Sequence, residues 1–357
     1  MSFSRRTFFQ AIAGVGGLSV LRAQVAGPQT PPLTFTRQPA PRSTVAIVKG
    51  VERRQMVHDA LEAIDHQILP SLKQKKYVVV KVNNVSTTNQ LAATHADTIS
   101  GILDYLQARV QMPVTIVESS AGDTMEGFRN FGYTRIADQN RARNVSLVDL
   151  NAEAKYEVIP LIDYDLHLQP VRLAARLLDP DAFIICAGVL KTHNTVVATL
   201  SVKNMVLGAP IHFAPKETPR WNDKRKYHTG IRQTHYNMLL TAQKLRPYWG
   251  VALLDGFEGM EGNGPASGTP VASRIAIAST DFIAADRVGV ESMGIDPAWP
   301  GYLNYCGQLG LGNYDIAKID VIGEKIADVQ KKYRMHQDID RELEWMGEMK
   351  DLPPKLG

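Results

Sequence analysis

The sequence predicts an α/β fold with a mostly parallel β-sheet and helices on both of its faces. Short apolar runs rich in valine and isoleucine recur along the chain, and segments with helical periodicity separate most of them. The runs are almost continuously apolar, which indicates strands that are buried on both faces. Hydrophobic residues make up 44% of the chain and charged residues 21%, so a core large enough for such a sheet can form.

The predicted elements alternate along the chain. The predicted strands lie in the apolar runs 44–50, 77–82, 114–119, 145–150, 182–188, 250–256, 274–280 and 319–323. The predicted helices lie at 54–74, 96–109, 125–141, 194–207, 231–247 and 281–293. This alternation is typical of a sheet whose crossover helices cover both faces. The folded domain is therefore expected to span residues 44–325.

The segments at both ends of the chain are predicted to lie outside this domain. Residues 1–26 place the paired arginines Arg5 and Arg6 before a short apolar run, which is the pattern of a twin-arginine export signal. That run is too short to form a stable transmembrane segment. Residues 27–43 hold five prolines and are predicted to be a linker, and residues 326–357 are predicted to be a charged helical tail. We therefore expect a periplasmic or otherwise extracytoplasmic protein that uses the twin-arginine export machinery, and the tail could join two copies in a homo-oligomer.

Charge and cysteine content argue against two classes of function. The net charge of +4 falls to about +1 without the arginines of residues 1–26, which argues against nucleic acid as a partner. The two cysteines, Cys186 and Cys306, form no Cys-x-x-Cys pair. We therefore expect no iron–sulfur cluster on the chain's own cysteines, while the identity of any other cofactor or metal stays open.

Polar residues follow the predicted strands at the points where the strands end. Because ligands of open α/β sheets bind beyond the carboxyl ends of the strands, we expect these residues to meet in one pocket. The candidates are Lys81, Asn83, Glu118, Lys191, His193, Asp255 and Asp281. For Asp255 the alternative is a tight glycine turn at the sheet edge, and for Asp281 the alternative is a helix cap.

The helix predicted at 194–207 carries more polar residues than a core helix needs. These residues are Thr195, Thr199, Lys203 and Asn204. Lys191 and His193 would precede the helix N-terminus, where unpaired backbone N–H groups favour an anion. We therefore expect a positive pocket for a small anion, with Lys203 facing Glu118 or Asp255. In the alternative interpretation the threonines bond to helix carbonyls and Lys203 reaches solvent.

The stretch 211–230 has no periodicity and is longer than most connections in a compact domain, which predicts a lid or binding loop. Its candidate residues, with one more on the next helix, are His212, Lys216, His228 and His235. Scattered histidines are more often surface or core residues than metal ligands, so both interpretations of these residues stay open.

Five segments of the chain carry a resemblance to a known family. They are "VVVKVNN", "TIVESSAG", "GVLKTHNTVVATLSVKNMVLGAP", "LLDGFEGMEGNGPASGTP" and "IASTDFIAADRVGVESMG". In this order, from about residue 44 to 325, they resemble the bacterial and archaeal family catalogued as domain of unknown function 362. The resemblance supports the positions Lys81, Asn83, Glu118, Lys191, His193, Lys203, Asp255 and Asp281, but it supplies no reaction. Some members of that family append a ferredoxin-type cluster segment, which this chain lacks.

These observations favour an exported enzyme that performs proton-transfer or redox chemistry on a small anionic, carboxylate-bearing molecule. Lys81, Lys191 and Lys203 would hold the anion, Glu118 and His193 would exchange protons, and Lys191 is a further catalytic candidate because crowding by other lysines lowers its pKa. The other substrate-binding candidates are Asn83, Thr195, Thr199, Asn204, Asp255 and Asp281. Two alternatives stay open. One is a periplasmic anion-binding or carrier protein without catalysis, and the other is a metal-dependent enzyme with Glu118, His193 and Asp255 as ligands.

Overall fold

The protein is described by a computed structural model over residues 41–212 and 218–348. The strands are β1 (Ser43–Lys49), β2 (Tyr77–Lys81), β3 (Val114–Glu118), β4 (Val145–Asp149), β5 (Tyr156–Ile162), β6 (Leu168–Ala174), β7 (Ala182–His193), β8 (Val197–Thr199), β9 (Trp249–Glu261), β10 (Thr269–Val271), β11 (Ile275–Ser279) and β12 (Ile319–Gly323). The α-helices are α1 (Arg53–Glu62), α2 (Asp65–Leu72), α3 (Ala96–Gln107), α4 (Thr124–Asn130), α5 (Tyr133–Gln139), α6 (Leu150–Glu153), α7 (Ser201–Gly208), α8 (Ile231–Leu245), α9 (Phe282–Ser292), α10 (Gly301–Gln308), α11 (Ile326–Val329) and α12 (Ile339–Glu342).

One large mixed sheet organises these elements. Its strand order is β12-β1-β11-β9-β7-β2-β3-β4, with β8 paired to β7 and β10 paired to β9. The half from β9 to β4 is parallel, whereas β11 runs antiparallel to both of its neighbours, β1 and β9. Strands β5 and β6 form a separate antiparallel ribbon. The carboxyl ends of β2 and β3 therefore lie side by side, whereas β7 continues past them to His193.

Helices cover both faces of the sheet, and each face has its own apolar core. One core joins the sheet to α7, α8 and α9 through residues such as Met205, Met238 and Val288. The other joins it to α1, α3 and α5 through residues such as Val57 and Ile102. The predicted α/β class, with a mostly parallel sheet and helices on both faces, is confirmed. Each of the eight predicted apolar runs forms a strand.

The helix predicted at 194–207 is wrong at its start. The chain continues β7 to His193, turns, and returns as β8, so that Lys191 pairs with Thr199 and His193 with Val197. The helix α7 begins only at Ser201. Four of the five residues from Thr195 to Thr199 are β-branched and favour a strand, and this preference outweighs the four-residue spacing of the polar residues. The predicted helices at 54–74 and 125–141 are each divided into two in the structure.

The described part of the tail, residues 326–348, is mostly not α-helical. Its only α-helices are the four-residue α11 and α12. The segment nevertheless packs closely, because the Glu342 side chain is fully buried and its Oε2 accepts a hydrogen bond of 2.9 Å from the Val197 backbone N–H. Within the described residues, no helix is both long and apolar enough to cross a membrane. The predicted export signal at 1–26 and almost all of the predicted linker at 27–43 lie outside the described residues.

Candidate functional site

A buried ion pair joins the ends of β2 and β3. The Lys81 ammonium lies 2.8 Å from Oε1 of Glu118. It also donates to the carbonyl of the next residue at 2.7 Å and to Oδ1 of Asn204 at 3.2 Å. The two carboxylate oxygens of Glu118 accept backbone N–H groups of Asn84 and Ser119, each at 2.8 Å. Both charges of the pair are thus satisfied by the protein itself.

The close packing of α7 over this ion pair requires a glycine. A methyl group in place of the Gly208 hydrogen would overlap Nζ and Cε of Lys81, and it would lie 3.4 Å from Oε1 of Glu118. Helix α7 therefore approaches the pair as closely as its backbone allows. This approach also brings Lys203 and Asn204, on the same helix, to the ends of β2 and β3.

A small cavity opens beside the pair, and we call it the Lys203 cavity. It has a volume of about 60 Å³. Its walls are formed by Asn83, Asn84, Val85, Glu118, Ser119, Ser120, Ala121, Lys203, Asn204, Leu207, Gly208 and Lys224. A single water needs about 10–15 Å³ on this scale, so the space corresponds to about four to six waters.

Lys203 projects from α7 into the cavity, and its side chain is 94% buried, with 6% of its surface exposed. Among the described residues, its ammonium has neither a hydrogen-bond nor an ion-pair partner, and neither Glu118 nor Asp255 pairs with it. Burial lowers the pKa of Lys203 to about 8, with the Lys81 ammonium adding to this effect and the Glu118 carboxylate opposing it. An ammonium without a protein partner lowers the stability of the folded state unless water or a ligand in the cavity solvates it.

Lys224 reaches the same cavity from the other side. It lies in a 3₁₀ turn, Asp223–Tyr227, and donates to the Ser119 hydroxyl at 2.7 Å and to the Leu207 carbonyl at 2.9 Å. Burial is the largest cause that lowers the pKa of Lys224 to about 7; the Lys81 and Lys203 ammonium groups add to this effect, and Glu118 opposes it. Two ammonium groups with lowered pKa values therefore border one cavity.

Several neutral polar atoms around the cavity lack partners. The Asn83 side chain donates to Oδ1 of Asn204 at 2.9 Å, but its own Oδ1 accepts nothing from the described residues. Both side-chain polar atoms of Asn84 and the Ser120 hydroxyl are likewise buried without a protein partner. Because buried polar groups are almost always hydrogen-bonded, these atoms call for water or another polar partner that the described residues do not supply.

Lys191 and His193 lie near this site but do not border the cavity. The fully buried Lys191 ammonium donates to the Ala92 carbonyl at 2.7 Å and to the Pro265 carbonyl at 3.3 Å. Nδ1 of His193 accepts the Thr195 backbone N–H at 3.1 Å. Burial, with Lys203 as the next cause, holds the pKa of both side chains well below the usual value.

The threonines of the predicted polar ladder are separated from the cavity as well. Thr195 lies in the turn between β7 and β8, where its hydroxyl donates to the Asn194 side chain at 3.3 Å. Thr199 is fully buried in β8, and its hydroxyl has no partner among the described residues. Of the residues expected on one helix face, only Lys203 and Asn204 reach the cavity.

Asp255 faces a different set of partners. Its carboxylate accepts the Thr98 hydroxyl at 2.5 Å and the Phe257 backbone N–H at 2.9 Å, and it lies 3.2 Å from Nε of Arg53. It therefore anchors α1 and α3 and does not border the Lys203 cavity.

The predicted ligand set of Glu118, His193 and Asp255 does not converge on one point. Within the described ranges, the only group of three potential ligand residues whose atoms lie within 4.8 Å of one another is His58, Asp59 and Glu62 on α1. The geometry thus gives no support to the metal site expected from the sequence.

Asp281 and Asp286 cap two helices. Asp281 accepts the backbone N–H groups of Ile283 and Ala284 at 3.0 and 3.1 Å, which corresponds to the helix-cap alternative. Asp286 accepts the Ser201 and Val202 backbone N–H groups, both at 2.9 Å. The anion expected at the start of the Lys203 helix is therefore a carboxylate of the protein itself, and burial raises the pKa of Asp286 to about 7.

The predicted lid residues have different environments. His212 is near the cavity wall, with Nε2 2.7 Å from the Ser120 carbonyl. His228 is exposed, and Lys216 lies outside the described residues. His235 is fully buried, with Nδ1 accepting the Tyr302 backbone N–H at 3.1 Å and its ring stacked on the Tyr302 ring. It is a core histidine.

Comparison with known proteins places the chain in a family. A family model described as "Domain of unknown function (DUF362)" matches residues 78–291, which is more than half of the chain. The chain belongs to the DUF362 family. No curated protein sequence matches it.

The DUF362 region contains all the residues that form the cavity, whereas the tail that carries Glu342 follows it. Among solved structures, a crystal structure of a protein from Thermotoga maritima is similar to this chain, with 12% sequence identity and a TM-score of 0.40. The similarity covers 60% of this chain and 52% of that one, so the chain spans about half the length of that protein.

Sequence reasoning missed Lys224, Gly208 and Asp286. Lys224 is one of three basic residues in the run "DKRKY", and the sequence does not distinguish the one that faces inward. Asp286 could have been recognised as a buried acid from the sequence, because it lies inside the apolar run "FIAADRVGV". A buried acid at such a position needs donors nearby, and an uncapped helix end supplies them.

Proposed function

We propose that this DUF362 protein is an enzyme that transfers protons on a small anionic molecule bound in the Lys203 cavity. The observation that carries the proposal is the Lys203 ammonium itself. It is 94% buried, borders the cavity and has no partner among the described residues. A bound anion would supply the missing partner.

The balance of charge supports an anion as the ligand. Three ammonium groups, those of Lys81, Lys203 and Lys224, surround one carboxylate, that of Glu118. The Lys81 ammonium already neutralises this carboxylate at 2.8 Å. Lys203 and Lys224 therefore provide an excess of positive charge toward the cavity, and charge-assisted hydrogen bonds to an anion are stronger than neutral ones.

The size of the cavity limits the ligand. A space of about 60 Å³ has room for about four to six waters, which is the size of a two- or three-carbon carboxylate or a phosphate ion. Larger substrates would need part of the molecule to extend out of the cavity. We therefore expect the reacting group to be small.

The lysines also support proton transfer over simple capture. The pKa values of Lys203, about 8, and Lys224, about 7, are close to neutral pH. A general base works best when its pKa is near the working pH. Lys203 is the better candidate for the base, since Lys224 already bonds to Ser119 and Leu207.

A hydrogen-exchange experiment tests the proposal. Two- and three-carbon carboxylates, with pyruvate among them, are incubated with the protein in D₂O, and the loss of their C–H signals, which for pyruvate are those of the methyl group, is followed by NMR. We expect exchange with the wild type and with Lys73→Met, an exposed lysine away from the cavity, but none with Lys203→Met. Binding without exchange in the wild type would favour the alternative function, an anion-binding or carrier protein.

We also propose that the protein is exported by the twin-arginine route, with its site acting outside the cytoplasm. The support is the pair Arg5–Arg6 ahead of the short apolar run. Replacing both arginines by lysine should leave full-length precursor in the cytoplasm, as shown by fractionation and immunoblotting. Arg22→Lys is the matched control in the same segment and should be exported normally. Efficient export of the double variant would contradict the proposal.

A further inference from the structure

We propose that Lys203 acts as a nucleophile and forms an imine with a small 2-oxo acid. The inference rests on the proposed function, because it uses the same cavity, and it names the substrate class as a carboxylate with an adjacent carbonyl group. In this reaction the neutral Lys203 amine attacks the carbonyl carbon instead of removing a proton from the substrate.

The first argument is the difference between Lys203 and its neighbours. The Lys81 ammonium is held by Glu118 and by two further acceptors. The Lys191 ammonium donates to two backbone carbonyls, and that of Lys224 donates to a hydroxyl and a carbonyl. Lys203 alone of these four can present its nitrogen to a guest without breaking a hydrogen bond to a described residue.

The second argument is the reactivity of this nitrogen. Only a neutral amine can attack a carbonyl carbon, and a lysine that is desolvated next to another cation is activated for this reaction. Burial lowers the pKa of Lys203 to about 8; the Glu118 carboxylate opposes this effect, and the nearby Lys81 adds to it. Near neutral pH, a useful fraction of Lys203 is therefore neutral.

The third argument is what surrounds the nitrogen. The Lys224 ammonium is placed to hold a carboxylate, with one N–H left beyond its two protein acceptors. Asn84 and Ser120, which also line the cavity, have side-chain polar atoms that are buried without protein partners. A 2-oxo acid of two or three carbons fits the volume of about 60 Å³.

The step balances in atoms and charge without an oxidant or reductant. The Lys203 nitrogen forms a bond to the carbonyl carbon, and the π electrons of the C=O bond pass to oxygen. Transfer of a proton from nitrogen to oxygen gives a neutral carbinolamine. The hydroxyl then leaves as water with a proton taken from solvent, and a protonated imine remains. Addition of water reverses the sequence and releases Lys203.

Reductive trapping tests the inference. The full-length purified protein is incubated with pyruvate or glyoxylate and sodium cyanoborohydride, and the modified residue is located by peptide mass spectrometry. We expect one adduct at Lys203, formed faster as the pH rises toward about 8 and levelling off above it. Acetate, which has the charge but no ketone, should give no adduct.

Variants separate covalent capture from anion binding. Lys203→Arg keeps the cation, so it should bind acetate but form no adduct. The control Lys73→Met should form the adduct at Lys203 as the wild type does. Adducts confined to surface lysines, or an adduct level unchanged in Lys203→Arg, would overturn the inference. If acetate binds to the wild type in calorimetry but neither 2-oxo acid is trapped at Lys203, this inference fails and the proposed function stands. If no anion binds, both fail.

Discussion

The ion pair between Lys81 and Glu118, 2.8 Å long and with side chains only 0% and 4% exposed, determines the charge of the whole site. Because Lys81 already pairs with this carboxylate, Glu118 compensates the other lysines around the cavity only in part. Lys203 is left as a buried cation without a partner among the described residues. The two lysines should therefore respond in opposite ways to the same substitution.

Lys203→Met is expected to stabilise the protein at neutral pH. Burial lowers the pKa of the wild-type lysine to about 8, so the folded state gives up a proton that the unfolded state keeps up to its ordinary pKa. The wild-type free energy of unfolding then rises with pH across this interval. The variant should be more stable by up to about 3 kcal/mol below pH 8, and the gain should vanish as the pH rises toward about 10.5. Urea denaturation at several pH values measures the difference in the free energy of unfolding between Lys203→Met and the wild type. A variant that is less stable than the wild type at pH 7 would contradict the prediction.

For the counterpart substitution, Lys81→Met, we expect a large loss in the free energy of unfolding. The change leaves the Glu118 carboxylate buried without its ion-pair partner, which typically costs about 3–5 kcal/mol. The same urea denaturation series measures this loss of stability. Equal effects of the Lys81 and Lys203 substitutions would show that the two lysines do not have the different roles assigned here.

Gly208→Ala tests the contact between α7 and the ion pair. The added methyl group would overlap the end of the Lys81 side chain, so either α7 or Lys81 must move. We expect a loss of about 1–3 kcal/mol in the free energy of unfolding, as for overpacked cores. Gly122→Ala is the matched control, since its methyl group would meet Thr87 only at 3.5 Å. A thermal melt that is the same for both variants would rule out the close approach.

Much of the fold could be predicted from this sequence, because buried parallel strands leave a local signal. Part of the site could be predicted as well: Lys81, Asn83, Glu118, Lys203 and Asn204 do meet. The rest depends on long-range geometry that local patterns do not carry. Asp255 lies near the end of a predicted apolar run in the same way as Glu118 does, yet β9 continues past it to Glu261, and its partners Thr98 and Arg53 hold it away from the cavity. The cap of α7 is Asp286, 85 residues further along the chain.

Glu342→Gln tests the contact between the tail and the hairpin of β7 and β8. Glu342 accepts the backbone N–H of Val197, a β-branched residue with a φ of 72°, which is an unfavourable conformation. Burial raises the pKa of Glu342 to about 7. Wild-type stability should therefore fall as the pH rises from about 4.5 to about 7, since the unfolded carboxyl ionises first.

The glutamine variant keeps an oxygen for Val197 and has no charge to bury. Its stability should match the wild type below about pH 4.5 and exceed it by about 2 kcal/mol above pH 7. The exposed Glu344→Gln is the matched control and should follow the wild-type curve throughout. Parallel pH profiles for the wild type and Glu342→Gln would show that this carboxyl is not buried as described.

The central claim is that the Lys203 cavity binds a small anion, and calorimetric titration tests it most directly. Acetate, pyruvate and inorganic phosphate are titrated into the wild type, Lys203→Met and the control Lys73→Met at pH 7. We expect at least one of these anions to bind the wild type and the control with one equivalent. Binding to Lys203→Met should be weaker by about tenfold or more, because a charge-assisted hydrogen bond is lost. Equal affinity of the wild type and Lys203→Met, or no binding of any of the three anions to the wild type, would contradict the claim.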